Sequence, residues 1–162
     1  MVDTTFELGL ARPTDAVMLG QMSRDLVEDG LKWSWKPSRI LKMVQDPDSV
    51  VLVAHTRIEL AGFAIMEFHD TRAHLNLLAV KPGQRRKGIG KAMIRWLEES
   101  CRVAGIAGIY LELRSDNNEA RQFYESLGFK AGETVEGYYQ GKVNALTMIH
   151  HLMAPDVESQ RP

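Results

Sequence analysis

The chain predicts an α/β fold, and three observations predict it. First, apolar residues alternate at step two in short runs, such as Ile109, Leu111 and Leu113 against Tyr110, Glu112 and Arg114, which is the signature of a strand. Second, Ile89, Met93, Trp96, Leu97, Cys101 and Ala104 recur at steps of three and four, which is a helix with one buried stripe. Third, the two kinds of segment follow one another in the order β-α-α-β-β-β-α-β-α-β-β, with no repeat, linker or second domain. At 162 residues the chain is long enough to bury a core as a single domain, expected over 1–153.

Each element has a local reason. Phe6, Leu8 and Leu10 alternate in the first strand. Pro13-Thr14-Asp15 opens a helix expected to reach about Glu28 and to end near Gly30. Ser38 is the expected cap of a second, short helix carrying Ile40, Leu41 and Val44, stopped by Asp46-Pro47. Two strands follow over 50–55 and 60–68, joined through Arg57-Ile58-Glu59, and a third over 73–80. After the long helix and the 109–114 strand, Asp116 or Asn117 caps a short helix whose buried face holds Ala120, Phe123, Tyr124 and Leu127. Gly128 ends that helix in a left-handed cap, Phe129 opens the next strand, and the last strand spans about 145–152. Residues 154–162, with two prolines and little hydrophobicity, are expected to be a frayed tail.

Composition narrows the function classes. Hydrophobic residues make up 44% and charged residues 25%, the balance of a globular protein. Twenty Lys and Arg face 21 Asp and Glu, a net charge of −1, which argues against a general nucleic-acid binder. One cysteine, Cys101, excludes an intramolecular disulfide and fits a reducing, cytoplasmic setting; its helical position points it at the core, for packing rather than nucleophilic work. The polar opening Met1 to Thr5 has no apolar segment after it, so no signal peptide is expected, and no stretch has the length of a membrane span. The five histidines show no ligand spacing, so no metal is expected.

The stretch with the most chemistry is Arg85-Arg86-Lys87-Gly88-Ile89-Gly90-Lys91. It lies where the apolar run Leu75-Asn76-Leu77-Leu78-Ala79-Val80 gives way to the long helix. Free N–H groups and the positive end of the helix dipole converge at such a junction, and two glycines let an anion approach the backbone. A pyrophosphate fits these donors. A solvated basic face or a nucleic-acid patch is the alternative for these seven residues alone.

Together with the downstream segment the loop resembles the GCN5-related N-acetyltransferase (GNAT) superfamily, which moves acetyl from acetyl-CoA to an amine. Arg85, Gly88 and Gly90 match its phosphate loop, and Asn117, Ala120, Tyr124, Gly128 and Phe129 match its second signature. The resemblance runs from about Leu75 to Phe129, more loosely to Leu152. Leu111-Glu112-Leu113-Arg114, the pair Tyr138-Tyr139 and Asn144-Ala145-Leu146-Thr147-Met148 are similar to the branch that acetylates ribosomal-protein N-terminal alanines. That branch carries a proline soon after the tyrosines and an Asp before the alanine, where this chain has Gln140-Gly141 and Asn144.

The resemblance implies a mixed central sheet of six to seven strands with about four helices, and a splayed strand pair that holds acetyl-CoA. The backbone over Arg86, Lys87, Gly88, Ile89, Gly90 and Lys91 would bind the pyrophosphate, with Arg85, Arg86, Lys87 and Lys91 adding charge. The edge of Leu78-Ala79-Val80 would pair with the pantetheine amides, the Leu78 N–H would polarise the thioester carbonyl, and Asn117 would hydrogen-bond the coenzyme. Glu112 is the candidate general base, with a pKa expected to be raised among apolar strand neighbours. The alternative is a surface carboxylate paired with Arg114 or a nearby strand.

Tyr124 is the candidate acid for the departing thiolate, a phenol near 10 suiting a thiol near 8.5, or a hydrogen bond that positions the thiol, or else a core aromatic. Tyr138 and Tyr139 would line the acceptor entrance, or be strand aromatics. Trp33 and Trp35 flank Ser34, so alternation sends one indole inward and leaves the other, Trp33 here, for substrate. A protein N-terminal amine is the expected acceptor. A small-molecule amine and a non-catalytic acyl-CoA binding module are the alternatives, and the relatives' habit leaves a homodimer open.

Overall fold

The computed structural model describes residues 5–152; the expected tail 154–162 and the opening residues 1–4 lie outside them. Among the described residues, seven strands and four α-helices occur in the expected order: β1 (Glu7–Leu10), α1 (Ala16–Leu26), α2 (Pro37–Gln45), β2 (Ser49–His55), β3 (Leu60–His69), β4 (Arg72–Val80), α3 (Ile89–Ala104), β5 (Gly108–Arg114), α4 (Asn118–Ser126), β6 (Lys130–Tyr139) and β7 (Val143–His151). The strands hydrogen-bond in the order β1-β2-β3-β4-β5-β7-β6. The sheet is mixed: β4 pairs parallel with β5 through Arg72–Gly108, Ala73–Ile109 and His74–Tyr110, whereas β1 with β2, β2 with β3, β5 with β7 and β6 with β7 are antiparallel. No helix among the described residues is long and apolar enough to cross a membrane.

The described residues form two compact units, one of residues 5–67 and 75–96, the other of 68–74 and 97–152. The first buries Leu19 of α1, Ile40 of α2 and Phe63 and Ile65 of β3 around Trp35. Its two early helices cross closely at Gly20, where a Cβ would stand 2.9 Å from the Pro37 ring, so a larger residue would push them apart. In the second unit Leu97 and Cys101 of α3, Ile109 and Leu111 of β5 and Met148 of β7 are buried. Cys101 is therefore packing, and burial pushes its thiol up to about 12.

Several local expectations change. Pro13–Asp15 forms a 3-10 turn ahead of α1, and α1 stops at Leu26 because the N–H groups of Val27 and Glu28 both close on the Ser23 carbonyl. Ser38 does not cap α2: Pro37, whose φ is preset, takes the first helical position and Lys36 the cap. Leu10, at an end of the sheet order, is exposed. Ala104 is exposed as well. The left-handed Gly105 turns the chain there, the Ile106 N–H reaches the Cys101 carbonyl, and Ile106 fills the core instead.

Candidate active site

In the first unit the basic loop is built on a buried polar anchor. Gln84 ends a 3-10 turn and donates from Nε2 to Glu59 Oε2 at 2.6 Å, while Lys81 Nζ sits 3.1 Å from Glu59 Oε1. These two donors hold the Glu59 carboxyl below its ordinary range. Lys87 Nζ donates to Gln84 Oε1 at 2.9 Å and Arg85 Nε to the Val80 carbonyl at 3.2 Å, so two of the expected cations brace the loop. Arg86 and Lys91 are exposed.

The loop backbone then turns twice through the left-handed region, at Arg86 (φ 65°) and Gly88 (φ 83°), before α3 starts at Ile89. The Ala92 N–H bonds the Gly88 carbonyl at 2.9 Å, the first helical bond, and the N–H groups of Ile89, Gly90 and Lys91 precede it. A Cβ on Gly88 would meet nothing within 4 Å, so this face of the turn is open. Such a cluster of N–H groups at a helix start is an anion cradle. Ile89 contributes backbone alone, its side chain being buried. On β4 the side chain of Ala79 is buried and those of Leu78 and Val80 half-buried. Trp33, also in this unit, donates from its indole to the Gly20 carbonyl at 3.0 Å and is half-buried, whereas Trp35 is buried with Arg39 stacked 3.6 Å over it.

The second unit holds the remaining candidates. The β4–β5 ladder puts Tyr110 opposite His74, and Glu112 follows Tyr110 on the same strand face. His74 Nε2 lies 2.6 Å from Glu112 Oε1, and the two side chains are only 17% and 13% exposed. The Tyr138 hydroxyl donates to the same oxygen at 3.0 Å. The Tyr110 ring stacks on His74 at 4.6 Å, and Arg72 lies 4.3 Å over Tyr110.

These contacts overturn the raised pKa expected for Glu112. Burial pushes its carboxyl up, but the hydrogen bond and charge of His74 and the hydroxyl of Tyr138 outweigh burial and leave it below the ordinary range. Its ion-pair partner is His74, not Arg114. Burial and the neighbouring Glu112 charge in turn push the Tyr138 hydroxyl up to about 12.

Asn117 caps α4, its Oδ1 accepting the Ala120 N–H at 3.0 Å. Tyr124 is buried edge-on between Phe123 (5.1 Å) and Phe129 (5.3 Å). Burial, with Tyr139 adding to it, pushes its hydroxyl well above the value near 10 on which proton donation was reasoned. A phenol so raised is a better hydrogen-bond donor to a thiolate than a proton source for it. Tyr139 meets Tyr138 edge-on at 4.9 Å, and burial raises its hydroxyl too.

The second unit therefore brings Glu112 and Tyr138 into direct contact and places Asn117, Tyr124 and Tyr139 on neighbouring elements. The candidates at 78–80 and 85–91 and Trp33 belong to the first unit. Sequence reasoning missed His74, Tyr110 and Gln84. The available signal was weak: His74 and Tyr110 are polar or amphipathic residues at alternate positions of apolar strands.

Residues 20–129 match the model of the acetyltransferase (GNAT) family. The chain is 34% identical over 93 residues to the ribosomal protein bS18-alanine N-acetyltransferase of Escherichia coli, covering 56% of this chain and 63% of that protein's length. It is 32% identical over 100 residues to the streptothricin acetyltransferase of Streptomyces lavendulae, covering 60% of this chain and 53% of that one. Among solved structures, the ribosomal-protein alanine N-acetyltransferase from Escherichia coli superposes with a TM-score of 0.80 at 25% identity, over 94% of this chain and 97% of that one.

Proposed function

Because the chain belongs to the GNAT acetyltransferase family, we propose that it transfers acetyl from acetyl-CoA to an amine, and that the amine is a protein N-terminal α-amino group. The observation that carries this reading is Glu112, a half-buried carboxylate gripped through one oxygen by His74 and by the tyrosine expected at the acceptor entrance.

The chemistry is a direct displacement. The lone pair of the neutral amine attacks the thioester carbonyl carbon, the C–S bond breaks, nitrogen loses one proton and sulfur gains one. Glu112 takes the proton from nitrogen, and the Tyr124 hydroxyl stabilises the departing thiolate by a hydrogen bond until solvent water protonates it. The N–H groups of 88–91, with Arg86 and Lys91, bind the pyrophosphate, and Arg85 and Lys87 keep the loop in shape while adding charge. The edge of Leu78-Ala79-Val80 takes the pantetheine amides, and the Leu78 N–H donates to the carbonyl oxygen.

The charge state of the acceptor favours an α-amine. A side-chain carboxylate cannot strip an ammonium of pKa about 10.4, of which only about one in 2,500 is neutral at pH 7. An α-amine near 7.7–8.0 is already about one-tenth neutral and needs a base only after attack, when its nitrogen has become acidic. The bS18-alanine enzyme among the relatives supports the same choice. A small-molecule amine is the second reading, favoured by the streptothricin enzyme.

Coenzyme A release from acetyl-CoA, measured against N-terminal peptides and small polyamines, tests this. Turnover on peptides is expected, with Glu112→Gln lowering kcat about 10²–10⁴-fold while acetyl-CoA binding is kept. Turnover on small amines alone would move the acceptor, and tight acetyl-CoA binding with no turnover on either class would favour the non-catalytic module.

A further inference from the structure

The imidazole of His74 is fixed more tightly than a surface histidine would be. One ring face lies on Tyr110 at 4.6 Å with 20° between the planes, and the Arg72 guanidinium lies 4.3 Å from the same Tyr110 ring. Turning the imidazole away would break its stacking on Tyr110. From that position Nε2 meets Glu112 Oε1 at 2.6 Å, and the Tyr138 hydroxyl meets the same oxygen at 3.0 Å. Both donors crowd one oxygen, so among the described residues Glu112 Oε2 has no donor. We propose that His74 is a positioning residue for acetyl transfer: with Tyr138 it holds Glu112 by Oε1 and leaves Oε2 as the oxygen that takes the acceptor proton.

The assignment rests on Glu112 being the base. It extends that reading to a residue that touches neither substrate nor coenzyme. The titratable and charged groups around the pair are Arg72 on β4, Tyr110, Glu112 and Arg114 on β5, and Tyr138 and Tyr139 on β6. Tyr110 and Tyr138 bring hydroxyls, and Arg72 spends its guanidinium on the Tyr110 face. Among the described residues His74 is the partner that Glu112 gains from β4, and its hydrogen bond and charge offset the burial that would otherwise favour the protonated acid. Without it, the carboxyl would hold its proton at a higher pH and lose its orientation at once.

Two substitutions separate orientation from bulk. His74→Phe keeps a ring to stack on Tyr110 and removes the bond to Glu112. His74→Gln keeps an N–H donor near the Nε2 position but never carries charge. The acceptor amine sets the first acid break of the kcat/KM profile; the second, lower limb, that of Glu112, should move up in His74→Phe, so activity there falls about tenfold or more while KM for acetyl-CoA holds. His74→Gln should show a smaller rise and keep most of kcat.

Carboxyl-carbon NMR of 13C-glutamate-labelled protein, with the Glu112 signal identified through Glu112→Gln, reads the same shift without turnover. The Glu112 midpoint should move up in His74→Phe by as much as the limb does. Should His74→Phe melt early, the His74→Gln titration decides. Identical midpoints and limbs in wild type and both variants would overturn the role of His74. Wild-type turnover by Glu112→Gln would instead remove Glu112 as the base, a separate failure.

Discussion

Replacing Glu28 with Gln tests whether a buried carboxylate organises the segment that carries Trp33. Oε1 of Glu28 accepts the Ser34 N–H at 2.7 Å and the Ser34 hydroxyl, while Oε2 accepts the buried Ser23 hydroxyl at 2.9 Å and the Trp35 N–H at 3.1 Å. In Glu28→Gln one oxygen becomes an NH2 group. If the amide oxygen stays with Ser34, the NH2 faces Ser23 and Trp35. The Ser23 hydroxyl can rotate and accept, but the Trp35 N–H cannot and keeps only its long 3.4 Å bond to the remaining oxygen; a buried donor so poorly satisfied costs up to about 1–3 kcal/mol. The Ser34 bonds also lose their ionic assistance, about 1 kcal/mol more. The expected loss is therefore about 2–4 kcal/mol, a fall in Tm of roughly 5–15 °C.

The sign of the pH dependence gives a second handle on the same variant. Burial pushes the Glu28 carboxyl up, yet the bonds from Ser34, Ser23 and Trp35 outweigh it and hold it below the ordinary range in the folded protein. A carboxyl lowered on folding stabilises fully above its unfolded value, about 4.3, and that stabilisation drains away as pH falls through the folded value. Urea unfolding of wild type and Glu28→Gln should show the full gap at pH 7 and a narrower one at pH 3. A gap under about 1 kcal/mol at pH 7, or one that does not narrow in acid, would refute the role of the ionised carboxylate.

Two further substitutions test the loop and the helix end. Arg86→Gly removes a side chain from a backbone at φ 65°, relieving about 1 kcal/mol of left-handed strain against a comparable gain in unfolded-state freedom. Calorimetry should find a nearly unchanged Tm with acetyl-CoA binding several-fold weaker and less salt-sensitive; a large fall in Tm would mean that Arg86 braces the loop instead. Gly128→Ala puts a methyl 2.8 Å from His150 Cε1 at φ 102°, where His150 is held by Glu98 at 2.8 Å and lies against Phe129. A melt should show a loss of about 2 kcal/mol or more, and a Tm within a degree or two of wild type would show that the ring yields.

What periodicity could read was the order of elements and the ends that a single residue type decides. A cap at Asp116 or Asn117 and a left-handed exit at Gly128 each follow from one residue type, and Asn117 takes the cap while Gly128 sits at φ 102°. Ser38 fails as a cap because its neighbour Pro37 fits the first helical turn better, a competition that composition alone does not rank. Glu28 and Glu98 are buried, and nothing in a helical pattern separates a buried glutamate from a solvated one until its donors, Ser34 and His150 among them, are seen arriving from other segments.

Glu112 shows the same limit where the chemistry is. Alternation gives the face of β5 on which it lies, and apolar strand neighbours then argue for a raised pKa. The term that reverses the direction comes from His74, thirty-eight positions away in sequence, through a parallel ladder whose register no local pattern specifies. The identity of a base is thus a property of its own residue, while its strength is a property of which strand lies beside it. An α-amine suits a carboxylate base whichever way its pKa moves. A lysine ammonium of pKa about 10.4 is out of reach whether burial raises Glu112 or His74 and Tyr138 hold it low, while an α-amine is already partly neutral.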